Sequence, residues 1–270
     1  MELDLPICAT CGVQYGSARP DCPICQDQRQ YVGREGQQWT SLAELRRQGH
    51  RGRIEDEGPG VTGIGVAPPT AIGQRALLVR TPAGNVLWDM VTYLDDEMLA
   101  QVADLGGVDA IALSHPHFYG SVIEWAHAFG APVYIHHQDR DWVGRPDDAI
   151  VFWEGGTREI LGGVTLVNAG VHFAGGQVLH WAGGQDGAGV LCTGDIFTVV
   201  PDRRWLSFMY SYPNLIPERP QIIRRAVEMM QSYSFDRVYG GWWRRNVDTG
   251  GAAALRRSAD RYLRFALGED

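Results

Sequence analysis

From about residue 60 onward, short apolar runs of strand length alternate with amphipathic helical segments, and this alternation constrains the fold more than any other feature of the chain. "RALLVRT" and "NVLWDM" are separated by "PAG", a turn signal, and predict a hairpin. Residues 95–106 place Met98, Leu99, Val102 and Leu105 at helical spacing, and "VDAIALS" is then a strand. Residues 120–130 repeat the helical spacing through Val122, Ile123, Ala126 and Phe129, with "PVYIH" as the next strand. "VTLVNAG", "QVLHWAG" and "GVLCTGD" are three more strand-like runs. A helix near 218–232, a strand at "DRVYGG" and a helix over 252–267 follow, the last with an apolar face of Leu255, Ala259, Tyr262, Leu263 and Ala266. Two successive sets of strands and helices predict an α+β fold of two similar halves, packed sheet against sheet with helices outside.

A chain of 270 residues, 44% hydrophobic and with nine tryptophans, fills one large domain and leaves room for a small appendage. No apolar run approaches the roughly 18 residues of a membrane span, so no membrane partner is expected. The start, "MELDLPIC", has no basic region followed by an apolar segment, and a cytoplasmic location is expected. The net charge is −8 and all 24 basic residues are arginine, which excludes Schiff-base chemistry on a lysine. The arginine pairs are scattered among acids, the pattern of a solvated surface, and no nucleic-acid partner is expected.

Four of the five cysteines crowd the start of the chain. Cys8, Cys11, Cys22 and Cys25 form two C-x-x-C pairs separated by ten residues. Each pair wraps a tight knuckle around one ion, and two knuckles complete a closed tetrahedral thiolate shell, so the expected role is structural zinc. Iron, or disulfides in an oxidising compartment, are the competing readings. Over residues 8–25 the segment resembles a zinc ribbon or rubredoxin-like knuckle pair. The expected organisation is a four-cysteine unit over 1–32, a connector over 33–60 and a main domain over 61–270. "WTSLAELRRQG" in the connector reads as a short helix with Ser41 as N-cap, Glu44 completing a capping box and Gly49 as its stop. "HRGRIEDEGPG", polar and glycine-rich, reads as a surface linker or entry loop.

Polar residues gather at the ends of the expected strands. In "SHPHFYG", His115 and His117 stand two apart, so in an extended segment both project to one side. His172 in "NAGVHFAGG", Asp195 in "CTGDIF" and Asp89 in "LWDM" lie at three other strand ends. Such a set on one rim of a sheet makes a site.

In this order and context the chain resembles the metallo-β-lactamase fold superfamily over roughly residues 60–245. That family's leading motif is His-x-His-x-Asp-His after a strand and before a helix. A Gly-x-His loop, a strand ending in Gly-Asp and an earlier strand ending in Asp complete the likeness through "GVH", "TGD" and "LWD". The resemblance implies a four-layer αβ/βα sandwich preceded by the small zinc ribbon. It also implies that His115, His117 and His172 hold one metal ion with Asp195, and that Asp89 supports a ligand without binding the ion. Tyr119 and Gly120 stand where the motif's Asp and His belong, and no histidine follows His180, so the final ligand is missing near Trp242. The first-ion ligands are complete and the second-ion ligands are absent, which implies a centre for one metal.

Three histidines with one open position suit catalytic zinc, which lowers the pKa of bound water to near 7 and polarises a carbonyl. Asp195 would accept the water's proton or complete coordination, and Tyr119 would donate to an oxyanion or simply pack. The expected reaction is hydrolysis of a small-molecule ester, thioester, lactone or amide, with zinc favoured over ferrous iron. An iron dioxygenase using two histidines and Asp195 is one alternative, and a non-catalytic binding protein is the other. "RRWLSFMYSYPN" is expected to wall a substrate pocket with Trp205, Phe208, Tyr210 and Tyr212, joined by Trp242 and His137. A homodimer through the four-cysteine unit is a further expectation.

Overall fold

The computed structural model describes residues 1–268. After the four-cysteine unit, which carries the short helix α1 (Pro23–Gln26), comes α2 (Leu42–Arg47). Ser41 caps α2 by accepting the Glu44 N–H at 3.2 Å, as expected from the capping signature. The first sheet then runs in strict chain order: β1 (Arg51–Gly58), β2 (Val61–Ala67), β3 (Ala76–Thr81), β4 (Gly84–Trp88), β5 (Ala110–Ala112), β6 (Val133–His136) and β7 (Ile150–Trp153). The first four pair antiparallel, and β4 to β7 pair parallel. Helices α3 (Asp96–Asp104) and α4 (Val122–Phe129) make the first two parallel crossovers. The second sheet repeats the plan with β8 (Thr157–Leu161), β9 (Val164–Asn168), β10 (Gln177–Trp181), β11 (Val190–Gly194), β12 (Arg237–Gly240) and β13 (Asn246–Val247). Helix α5 (Pro220–Met230) crosses from β11 to β12, and α6 (Gly251–Leu267) closes the chain.

Side-chain alternation sorts these elements into layers. Leu77, Val79, Val86 and Trp88 point inward and meet Leu166, Leu179, Val190 and Tyr239 of the second sheet. Their neighbours Leu78 and Leu87 point outward, against Met98, Val102, Ile123 and Trp125. The outer face of the second sheet packs α5 and α6 through Ile223, Val227, Leu255 and Ala259. The result is a four-layer αβ/βα sandwich. Among the described residues no helix is long and apolar enough to cross a membrane.

Residues 50–60 depart from the linker reading. They enter β1, the edge strand of the first sheet, paired with β2 from Arg51↔Ala67 to Gly58↔Val61. An exposed edge strand carries charges that discourage further pairing, so its sequence looks like a loop.

The four-cysteine unit joins the core of the main domain. Ile7, Val13, Tyr15 and Ile24 share one apolar cluster with Met90, Leu113, Tyr119 and Ile135. Gly12, at φ +81°, lies so close to Thr92 that a Cβ there would sit 2.0 Å from its Oγ1. Backbone bonds from Gln14 N–H to Gly120 O and from Gly16 N–H to Gly144 O seal the contact.

Candidate metal centre

Strand β5 stops at Ala112, three residues short of the first histidine. His115 continues extended, and Pro116–Phe118 then turn through a single 3₁₀ helix with proline at its first position. His115 and His117 therefore converge because the chain turns between them, not because a strand alternates; their ring centroids lie 5.1 Å apart. His172 sits in the β9–β10 loop with left-handed backbone, φ 67°. A non-glycine residue held there stores on the order of 1–3 kcal/mol and persists only where its surroundings over-determine it. Asp195 follows β11 directly. Gly194 before it must be glycine, since a Cβ would lie 2.6 Å from Ser114 Oγ and 2.8 Å from Asp89 Oδ2.

One ligand atom from each of His115, His117, His172 and Asp195 lies within 4.8 Å of the others. His117 Nδ1 is 3.2 Å from His172 Nε2, and His115 Nε2 is 3.8 Å from Asp195 Oδ2. Donor atoms ~2.0–2.2 Å from one ion stand at about these separations from each other. All four residues are buried, and Nε2 of both His115 and His117 lacks a hydrogen-bond partner. Burial drives the His115 and His117 pKa values well below the usual imidazole range and that of His172 down to about 4. Neutral imidazole is the state a metal requires. Burial also raises Asp195 to about 7, against the opposing bond from Thr198 Oγ1 to Asp195 Oδ1 at 3.0 Å. A dry pocket of neutral nitrogens around one costly carboxylate fits a divalent cation.

The remaining expected residues separate into distinct roles. Asp89 is linked to the centre through Ser114: its Oδ1 accepts the Ser114 N–H at 2.7 Å, and Ser114 Oγ bonds His115 Nδ1 at 2.8 Å. Tyr119 packs in the core beneath the four-cysteine unit, and its buried hydroxyl has no partner. Gly120, at φ +47°, has no room for a side chain, because a Cβ would meet Val91 O at 2.5 Å. Trp242 bonds Ile72 O through Nε1 at 3.1 Å and packs edge-on to Phe118.

The expected single pocket is two. One cavity, about 860 Å³, is lined by Arg29, His137, His172, Phe173 and Tyr210. The other, about 650 Å³, is lined by Thr198, Met209, Tyr212, Trp242 and Trp243. Tyr212 reaches the centre by donating its hydroxyl to Asp195 O at 2.8 Å. Trp205 and Phe208 belong to neither wall. Trp205 lies under Arg261 of α6 at 3.6 Å, and Phe208 is fully buried against Phe197. Phe208 and Leu206 turn into the core, where burial outweighs a place at a cavity rim, while Trp205 stays half-buried beneath the arginines of α6.

Cys8, Cys11, Cys22 and Cys25 form a second buried group. Sγ separations of 3.6 Å (Cys8–Cys25) and 3.7 Å (Cys11–Cys22) are far beyond a disulfide and match two ligands of one ion ~2.3 Å from each. Gln37 Nε2 and Tyr15 Oη lie at 3.2 and 3.1 Å from the Cys8 and Cys22 sulfurs. Cys192 is buried in β11, apart from both groups.

Four residues at the centre went unread in the sequence: Ser114, Thr198, Glu218 and Arg29. Ser114 adjoins His115 and Thr198 follows Asp195 by three, so local hydroxyl-bonding patterns could have marked them. Glu218 and Arg29 are brought in only by the tertiary fold.

A model of the Metallo-beta-lactamase superfamily matches residues 69–242. The chain is 45% identical over 262 residues to the "Uncharacterized protein YmaE" of Bacillus subtilis (strain 168), covering 96% of this chain and 95% of that protein. Among solved structures, the metallo-beta-lactamase SMB-1 in complex with mercaptoacetic acid aligns at TM-score 0.54 and 15% identity, over 80-odd per cent of this chain (81%) and 97% of its own. VMB-1 aligns at TM-score 0.58 and 13% identity, over 80% and 98%. At such identities these likenesses speak to the fold. The fold, the four converging side chains and the family match together establish that this chain belongs to the metallo-beta-lactamase superfamily.

Proposed function

We propose that the protein is a metal-dependent hydrolase with a mononuclear centre formed by His115, His117, His172 and Asp195, acting on an ester, thioester, lactone or amide. The observation that carries this reading is an asymmetry. One set of four buried ligands is complete, while the positions of a second set hold a packed tyrosine and a glycine that no side chain can replace. Zinc, when bound, supplies a Lewis acid and a water of pKa near 7. The chain's own groups do the rest. Thr198 ties down Asp195 Oδ1, which leaves Oδ2, facing His115, to complete coordination or to take the water's proton. Ser114, itself held by Asp89, fixes the His115 ring so that Nε2 faces inward. A structural zinc in the four-cysteine group completes the metal inventory.

Elemental analysis of the purified protein and of His172→Ala tests this, alongside hydrolysis of a panel of aryl esters and thioesters. The expected result is two equivalents of zinc falling to one in the variant, with turnover lost. One equivalent untouched by the substitution overturns the proposal, as does iron accompanied by oxygen uptake.

A further inference from the structure

His172 keeps its left-handed backbone through three holds on three different atoms. Its N–H donates to Glu218 Oε2 at 3.0 Å. Its ring Nδ1 donates to Tyr210 O at 2.9 Å, which leaves Nε2 as the ligand nitrogen. Its carbonyl accepts from Arg29 Nη1 at 3.3 Å. The first two holds come from the second half of the sandwich. The third comes from the four-cysteine unit.

Arg29 is itself fixed. Asp27 receives its Nε at 2.6 Å and its Nη2 at 3.0 Å, and the guanidinium lies 3.9 Å over the Phe173 ring. Asp27 in turn closes helix α1, which carries Cys25, by donating its N–H to Pro23 O. From the other side, Ser211 Oγ donates to Arg29 O at 3.2 Å, and Asn214 Nδ2 bonds Gln28 O at 3.0 Å and Gln30 O at 3.1 Å. The same loop supplies the Tyr210 carbonyl that orients the His172 ring. An unbroken path of bonded groups thus runs from the Cys22–Cys25 knuckle to a ligand of the histidine centre.

We propose that Arg29 is a positioning residue of the histidine centre, and that through it the four-cysteine unit sets the pose of His172. The inference rests on the metal-centre reading above. Its consequence is a free-energy coupling between the two metal sites, which is reciprocal: filling either site raises the affinity of the other.

Cobalt(II) is the probe, because thiolate ligation gives a near-ultraviolet charge-transfer band that imidazole ligation lacks. The full chain is titrated with cobalt against a chelator of known affinity, as wild type, Arg29→Gln, Arg29→Lys and Asp27→Asn. Arg29→Gln is expected to weaken the histidine site at least tenfold with the thiolate band unchanged. Arg29→Lys, which returns one donor to the His172 carbonyl, recovers part of the loss. Asp27→Asn, which frees the guanidinium without removing it, falls between wild type and Arg29→Gln, and decides the matter if Arg29→Gln does not fold. Histidine-site affinity within twofold of wild type in Arg29→Gln overturns the proposal. So does loss of the thiolate band with the histidine site intact, which would assign Arg29 to the four-cysteine unit alone. A wild type that takes up cobalt only at the thiolates rejects the metal-centre reading itself, a result distinct from both.

Discussion

At the scale of single residues, the centre depends on neighbours that never touch an ion. Thr198 holds one oxygen of Asp195 and so decides which oxygen faces the histidines. Thr198→Ala is expected to lower turnover about 10–100-fold, and Thr198→Ser to retain most of it, read from steady-state kinetics on whichever substrate of the ester and thioester panel is turned over. The convergence of His115, His117, His172 and Asp195 was legible in the sequence because they sit in short patterns beside glycine and at strand ends. Their supports were less so. Thr198 shows only through its three-residue spacing from Asp195, while an arginine over a hundred residues from its partner carries no local pattern, and Arg29 meets His172 only through the fold. Tyr119 shows the opposite limit, since the sequence left donor and packing roles open, and the structure places it in the core with an unpartnered hydroxyl.

Individual elements were read well where one face is dry and poorly where charge hides the pattern. The hairpin β3–β4 and helices α3 to α6 follow from alternation and helical spacing, because each buries one face against a sheet. The edge strand β1 did not announce itself, since Arg51, Glu55 and Asp56 on it are exposed and charged. The 3₁₀ segment after β6, His137–Trp142, carries another buried acid with a consequence of its own. Asp139 is buried, accepts the Gly175 N–H at 2.8 Å, and is pushed by burial from 3.8 up to about 7. Between those values the unfolded chain has released a proton that the folded chain keeps, so the contribution of Asp139 to stability falls as pH rises from about 4 to 7. Asp139→Asn keeps the acceptor without the titration. Its stability relative to wild type, measured by urea unfolding, should be higher at pH 8 than at pH 5 by on the order of a few kcal/mol. An equal difference at both pH values would contradict this account.

For the whole molecule, the two sheets are joined by more than apolar contact. Arg75, at the start of β3, is buried and pairs with Glu57 of β1. It also donates to Asn246 Oδ1 of β13 at 2.6 Å and to Gly240 O of β12 at 3.2 Å. Removing one partner of such a group leaves the others uncompensated. Arg75→Ala is expected to cost about 3–5 kcal/mol in urea unfolding, and Arg75→Met, which keeps the packing, less. Sheet-on-sheet architecture was within reach of the sequence because two similar sets of strands must each cover an apolar face. The staple was not, since it joins residues from three distant strands.

The shared core of the four-cysteine unit also bears on how the protein is made. Its thiols leave the ribosome before the residues that seal the unit against the main domain, since Gly120 and Gly144 follow later in the chain. At roughly 5–20 residues per second, that leaves an interval on the order of ten seconds. Throughout it, the two cysteine pairs lack the cover that the finished fold gives them, and thiolates without that cover are open to metal ions and oxidants.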